Sequence, residues 1–335
     1  MMGNKCYIRS LAQVSCQEPL SNGWLQNPIR YEGSYVRAIE PNSKGLILPS
    51  EARRMSKILK RTVCTSITAL NESGIQHPDA IITGSGMGCM ENTEKFAIDL
   101  CKFGESCLKP TLFMQSTHNT ISSLIAIILK CHGYNNTYTH GAVSFESALF
   151  DAWLQIKGGQ IRNALVGSHD EVTPFMALIL GRTHPEYELV SETSVSSVLS
   201  STKGEGVAVE ITDVQILSRS SAHEVAKMLS PENDPNMMLG VNGNESNDVE
   251  YNRLIDSLDY TPSVLQYKHI FGENFSASAM SFYVAATILK EGGIPDFLVG
   301  KANSLQSPKT ITIINNSEGA TWTIIRLKKD ELCGN

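Results

Sequence analysis

The chain has 335 residues, of which 41% are hydrophobic and 19% charged, the make-up of a folded globular protein and not of a disordered or fibrous one. Its net charge is −6 and its basic residues are scattered, which excludes the broad cationic face of a nucleic-acid binder. No apolar run is long enough to span a bilayer; even the segment around Leu124 to Leu129 falls far short.

In chain order, Cys6 to Val14 alternates loosely and suits an opening strand. Residues 17–49 carry four prolines among Gly and Asn and predict a long irregular excursion. A helix is expected from Ser50 to about Ser73, with Met55, Ile58, Leu59, Val63, Ile67 and Leu70 on one face. Asp79 to Thr83 is a short buried strand, and Gly84-Ser-Gly-Met-Gly88 turns into a helix over Glu91 to Phe103. The spacing of that turn fits neither a dinucleotide fingerprint nor a P-loop, so its glycines are expected to serve close backbone approach.

The most informative stretch runs from Pro110 to Pro174. It holds an apolar helix over Ile121 to Leu129, a strand over Asn136 to His140, and the small-residue turn Gly141-Ala-Val-Ser144. The amphipathic helix Phe145 to Ile156 follows, then a buried strand over Asn163 to Val166 and the run Gly167-Ser-His-Asp170. A strand feeding a tight turn into a helix aims a residue at the helix's positive end, where a nucleophile could be activated. Here that residue is Ala142.

Thr183 to Thr202 is polar and expected to be a loop-like hinge between halves. Beyond it come strands at Val207 to Ile216, Asn236 to Gly243, Val264 to Tyr267, Thr310 to Ile314 and Trp322 to Leu327, the last two as a hairpin. Helices over 222–229, 248–258 and Ser276 to Leu289 alternate with them. This alternation predicts an α/β fold with a mostly parallel sheet. The order of elements in 6–103 recurs in 207–258, which points to internal duplication.

The eight cysteines show no CxxC pair and no regular framework, so they are expected to be reduced, mostly buried residues of a cytoplasmic protein. No signal peptide is expected at the N-terminus, and Lys329-Asp-Glu-Leu332 is internal and discounted as a retention signal. No metal or cofactor is expected.

From about Ser50 onward the chain resembles the β-ketoacyl-acyl-carrier-protein synthases of the thiolase-like superfamily. The resemblance rests on an ordered series: Arg53-Arg54-Met55, Gly84 to Gly88, Pro110, Asn119, Gly133, Ala152 to Ile156 with Gly159, Val166-Gly167 and Asp170. Gly204-Glu-Gly206, Lys268 with Gly272, and Asn316-Ser317 continue it. It implies two duplicated halves, 1–202 and 203–335, in a five-layered αβαβα arrangement, with the nucleophile turn at 141–144 and a dimer-interface region at 110–140.

On the same resemblance, the nucleophilic cysteine of the family falls on Ala142, its two catalytic histidines on Asn242 and Glu273, and its supporting lysine on Lys268. The gating loop is shortened to Glu318-Gly-Ala-Thr321. A methyl group cannot carry a thioester, and Asn242 cannot shuttle a proton near neutral pH. A carboxylate at 273 opposes the enolate of malonyl decarboxylation; at ~4 Å and an effective dielectric of ~20 the repulsion costs about 4 kcal/mol, roughly three decades in rate. Glu273 is expected to pair with Lys268, protonation being the alternative.

The resemblance therefore implies a chain-length-factor-like subunit that pairs with an active ketosynthase, or with itself, and meets an acyl carrier protein. Met87, Leu112, Thr117, Thr120, Ile121 and Leu124 are the candidate acyl-tunnel residues, with ordinary core packing as the alternative for each. Arg53, Arg54, Lys57, Lys60 and Arg61 form a helical basic cluster that could dock an acidic carrier, or simply face solvent. A second reading is a non-condensing acyltransferase or hydrolase using Ser144 with His140, His118 or His169. A third is an acyl-binding homodimer without catalysis.

Overall fold

The computed structural model describes residues 3–301, 307–317, 319 and 321–330. The first half of the chain runs β1 (Tyr7–Val14), α1 (Pro49–Ala52), α2 (Lys57–Ser73), β2 (Ala80–Gly84), α3 (Met90–Phe103), α4 (Pro110–Met114), α5 (Thr120–Leu129), β3 (Tyr134–Tyr138), α6 (Ser144–Lys157), β4 (Asn163–Asp170), α7 (Pro174–Thr183) and β5 (Thr193–Ser200). The second runs β6 (Ala208–Ser218), α8 (Ala222–Ala226), β7 (Asn236–Leu239), α9 (Glu245–Asp256), β8 (Ser263–Gln266), α10 (Lys268–Phe271), α11 (Ala277–Glu291), β9 (Val299–Lys301), β10 (Thr310–Ser317) and β11 (Thr321–Asp330).

The strands join in the order β3-β2-β4-β5-β1-β6-β11-β10-β7-β8-β9. At the centre β1 pairs with β6, Tyr7 opposite Glu210 and Ile8 opposite Val209. Outward from that seam one wing reads β1, β5, β4, β2, β3 and the other β6, β11, β10, β7, β8. With the edge strand β9 set aside, each half thus lays out its first, fifth, fourth, second and third strands in turn, and the internal repeat is visible as topology.

Three apolar clusters mark the layers. One lies between α2 and α5 and the first wing, and includes Ile58, Ile125 and Leu165. A second lies between α8 and α9 and the second wing, around Tyr251 and Trp322. The largest joins α6 and α11 to strands of both wings, from Ile82 and Val166 to Ile313 and Ile325. Two outer helical layers, two sheet wings and one shared helical layer make five. Every residue of α11 from Ala277 to Leu289 is buried, the pattern of a helix enclosed on all sides.

Three expectations need correction. The sheet is not mostly parallel: β2 runs parallel to β3 and β4, and β7 to β8 and β10, but the strands between them are antiparallel. The expected hinge contains β5, wholly buried between β4 and β1. Its serines look polar by composition, yet Ser196 bonds Thr65 and Ser66, and Ser197 bonds the Val166 carbonyl, while Val195, Val198 and Leu199 fill the core. Finally, the helix expected from Ser50 is two helices, broken at 53–56, where Ser56 takes extended dihedrals and α2 starts afresh. The shortened loop expected at 318–321 lies partly outside the described residues, as do Cys333 and most of the segment around Glu331. Among the described residues no helix is long and apolar enough to cross a membrane.

Candidate functional site

A cavity of about 380 Å³ opens where β3 hands over to α6. Gly141 turns the chain at φ +56°, a left-handed conformation suited to glycine. The Ser144 hydroxyl closes the turn by accepting from the His140 N–H at 2.9 Å and donating to the Gly141 carbonyl at 2.6 Å. Gly84 at the end of β2 lets this turn sit close, since a Cβ there would lie 2.5 Å from the Ser144 carbonyl oxygen. His140, Gly141, Ala142 and Val143 line the cavity. The residue at the mouth of the helix is thus Ala142, which offers a methyl group.

Opposite stand Lys268 and Glu273, brought together by α10 and by Gly272, whose φ of +74° reverses the chain. Lys268 Nζ lies 2.7 Å from Glu273 Oε2, and both side chains are almost wholly buried. This is the ion pair expected from the sequence. Asn242 donates its side-chain amide to Glu273 Oε1 and, at 2.7 Å, to the Glu186 carbonyl. Its own Oδ1 accepts from the Asn244 N–H at 2.9 Å. The structure therefore gathers Ala142, Lys268 and Glu273 around one cavity, with Asn242 immediately behind.

Sequence reasoning missed Glu146. It lines the cavity from the first turn of α6, only 1% exposed, and accepts from Ser278 at 3.0 Å, Thr323 at 3.0 Å and Asn315 at 3.4 Å. Burial pushes its pKa up, and those donors pull it back. The apolar stripe Phe145, Ala148, Leu149, Ala152 and Ile156 leaves Glu146 off the core face of an isolated helix; packing of α6 against both wings buries it anyway. No periodicity signal could have found it. Tyr251 and Tyr267 also line the cavity and are buried, with phenol pKa values raised mainly by desolvation.

Other expected residues lie elsewhere. Ser144 does not line the cavity, and its hydroxyl donates to the Gly141 carbonyl. Of its suggested partners only His140 reaches the cavity; His169 is buried within β4 with neither ring nitrogen hydrogen-bonded, and His118 packs on Gly88. Among the described residues no cysteine lines the cavity: Cys89 is buried, and Cys131 donates to the Pro78 carbonyl. The glycine turn after β2 spends its amides on Asp170, which accepts from Gly86 at 3.1 Å and Met87 at 2.8 Å, as well as from the Ser85 and Ser276 hydroxyls. That leaves no phosphate cradle. Among the described residues no group of three or more His, Cys, Asp or Glu is placed to hold a metal.

None of the six tunnel candidates lines the cavity in the isolated chain. Met87 sits in a small cluster with Val172 and Leu180, and Ile121 and Leu124 pack under α2. Thr117 and Thr120 bond each other at 2.9 Å, closing the turn into α5. Leu112 instead borders a second cleft, of about 590 Å³, together with Arg53, Arg54, Lys57, Lys60, Lys95 and Lys109. Arg61 leaves the basic cluster: it is buried, with its guanidinium 2.6 Å from Glu40 and 3.0 Å from Glu192, and both carboxylates help raise its pKa against the cost of burial. The other four remain at the cleft.

Comparisons agree with this architecture. A family model described as beta-ketoacyl synthase, N-terminal domain, matches residues 24–225. No curated protein matches at the sequence level. Among solved structures, a beta-ketoacyl synthase from Burkholderia phymatum superposes with TM-score 0.80 at 12% identity, over 98% of this chain and 100% of that one. The ishigamide ketosynthase/chain length factor gives 0.75 at 13% identity, covering 98% and 100%. The ketosynthase ApeO in complex with its chain length factor ApeC, from Xenorhabdus doucetiae, gives 0.78 at 14% identity, covering 98% of each chain.

Proposed function

We propose that this chain, which belongs to the β-ketoacyl synthase family, works as a non-condensing, chain-length-factor-like subunit beside an active ketosynthase. One observation carries the reading: a methyl group at the mouth of α6 faces a cavity whose opposite wall is a closed Lys268–Glu273 ion pair. Among the described residues such a cavity has no sulfur to acylate, and the positions where the resemblance puts the enolate-steadying imidazoles hold Asn242 and Glu273; of the two histidines that do line it, His184 is paired with Glu186.

Two surfaces favour a role in an assembly. The 110–140 region presents Phe113, Met114, Ile127 and Tyr134 to solvent, and its strand β3 is an edge of the sheet. Exposed apolar side chains next to an unpaired strand edge are the material of a subunit contact. Leu112, Thr117 and Thr120 belong to the same 110–140 region in sequence, and on this reading a partner docked there completes an acyl tunnel. The cleft bordered by Arg53, Arg54, Lys57 and Lys60 matches the charge of an acidic carrier protein. Growing chains in fatty-acid, polyketide or aryl-polyene-type biosynthesis, in the cytoplasm, are the cargo this reading implies.

The hydrolase or acyltransferase reading is less supported: Ser144 stands off the cavity, and His140, which lines it, bonds Ser147, whose hydroxyl donates to the Val143 carbonyl. The test is co-expression with a ketosynthase that retains its cysteine, followed by native mass and product analysis. A heterodimer whose product length changes when this chain is varied supports the proposal. Chain elongation from malonate by the purified chain alone overturns it.

A further inference from the structure

The cavity beside Ala142 has a charge balance that the subunit reading does not require. Two carboxylates, Glu146 and Glu273, share it with one lysine, and Glu273 already takes that lysine at 2.7 Å. A third carboxylate, Glu186, is held by His184 at 3.0 Å. Glu146 has only neutral partners: hydroxyls of Ser278 and Thr323 and the amide of Asn315, all donating to it. Burial works against its charge and raises its pKa, the surrounding donors favour the charge, and among the described residues no cation reaches it to settle the balance. Oε1 takes Thr323 and Asn315, Oε2 takes Ser278, and the residue's own backbone N–H also faces the carboxylate, so every partner it has is neutral. A buried anion without a counter-charge is costly, and a ligand that supplies one recovers that cost.

Asn316, on the same wall, gives a second sign of a missing partner. Its Oδ1 accepts from the Gly319 N–H at 2.9 Å, while its Nδ2 is buried and without a hydrogen bond. An unused donor calls for an acceptor such as a carbonyl.

We infer that this cavity receives an acyl group bearing a protonated amine, with Glu146 holding the ammonium and Asn316 the carbonyl. The same charges disfavour a carboxylate-bearing extender of the malonyl type. The inference stands apart from the subunit reading, because it concerns binding by the chain alone.

Three amides of similar size test it by ligand-observed NMR titration of the full chain at neutral pH: β-alaninamide (ammonium), butanamide (neutral) and succinamate (carboxylate). β-Alaninamide is expected to bind at least about tenfold more tightly than butanamide, with succinamate weakest, a spread of about one or more decades in Kd. Glu146→Gln, checked for folding by circular dichroism, is expected to bring β-alaninamide and butanamide to parity. Equal binding of ammonium and neutral amides, tighter binding of succinamate, no binding of any of the three, or an ammonium preference that survives in folded Glu146→Gln each overturns it. If Glu146→Gln does not fold, the wild-type series decides alone. Heterodimer assembly is measured separately, so loss of this inference leaves the subunit proposal standing.

Discussion

Lys268 Nζ and Glu273 Oε2 stand 2.7 Å apart, with side-chain exposures of 10% and 3%. Removing one charge of such a pair strands the other in a poorly solvated place, at a cost of about 3–5 kcal/mol. Glu273→Gln is therefore expected to lower the urea midpoint strongly with little change in slope. The double variant Lys268→Met/Glu273→Leu should recover most of the loss. A single variant as stable as the parent would show the pair to be solvent-relaxed.

Much of this site was legible in the sequence. The strand, tight turn and helix around Ala142 carry local signals, and Lys268 and Glu273 lie five residues apart across a glycine. What escaped depends on contacts distant in sequence. Glu146 meets Ser278, Asn315 and Thr323, all more than a hundred residues away. Strand β5 was hidden by its serines, because composition reports side-chain polarity and not whether a hydroxyl finds a buried partner. Arg61 sits in sequence beside the half-buried Lys57 and Lys60, and only the long excursion carrying Glu40 and the buried Glu192 just ahead of β5 reveals it as an interior residue.

Ala142→Cys tests the vacancy at the helix mouth. The new thiol faces the cavity and should be alkylated by iodoacetamide, as seen by intact mass. It should not condense malonyl and acyl thioesters, because Glu273 and Asn242 still occupy the places where the resemblance puts imidazoles. Condensation by the single variant would mean that the Lys268–Glu273 pair can support enolate formation. Only the triple variant Ala142→Cys/Asn242→His/Glu273→His is expected to acquire measurable activity.

His169 makes stability depend on acid. Burial lowers its pKa from 6.5 to about 3, so the unfolded chain binds a proton that the folded one refuses. Its contribution is intact above pH 6.5 and is lost as the pH falls towards 3, at no more than about 1.4 kcal/mol per pH unit. Glu171 acts in the opposite sense. Its carboxyl is pushed up from 4.5 to about 7 mainly by burial, so stability declines as the pH rises through that window. Between 4.5 and 6.5 the two offset one another, and below 4.5 His169 acts without that opposition. His169→Phe should flatten the denaturation midpoint between pH 3 and 4.5. An unchanged acid limb would place its cause elsewhere.

Gly84 shows why the glycine-rich turn after β2 needs no ligand. A Cβ there would come within 2.5 Å of the Ser144 carbonyl oxygen and 2.8 Å of the Phe145 nitrogen, both backbone atoms. Gly84→Ala must therefore push α6 away from β2 and disturb the turn holding Ala142. Overpacking of this kind costs typically about 1–3 kcal/mol. Thermal unfolding should reveal the loss, whereas Gly181→Ala, with nothing within 4 Å, should be neutral or slightly stabilising. Equal melting temperatures for the two variants would remove the close-approach explanation.

Ile127 offers the sharpest test of the subunit face. It is 72% exposed on α5, although the helix around it is otherwise apolar. In the isolated chain Ile127→Glu moves a carboxylate through water, so its stability cost should stay within about 0.5 kcal/mol. In an interface the same carboxylate would be buried without a partner, and pairing should weaken by about a hundredfold or more. Native mass spectrometry of the co-expressed pair reads the complex, and a thermal melt of the isolated chain reads the fold. Met228→Glu, exposed in the second half of the chain and remote from the 110–140 region in sequence, serves as the control and should leave assembly unchanged. If Ile127→Glu assembles as well as the control does, the face of α5 is not where the partner sits, and the exposed apolar side chains of the 110–140 region lose their explanation.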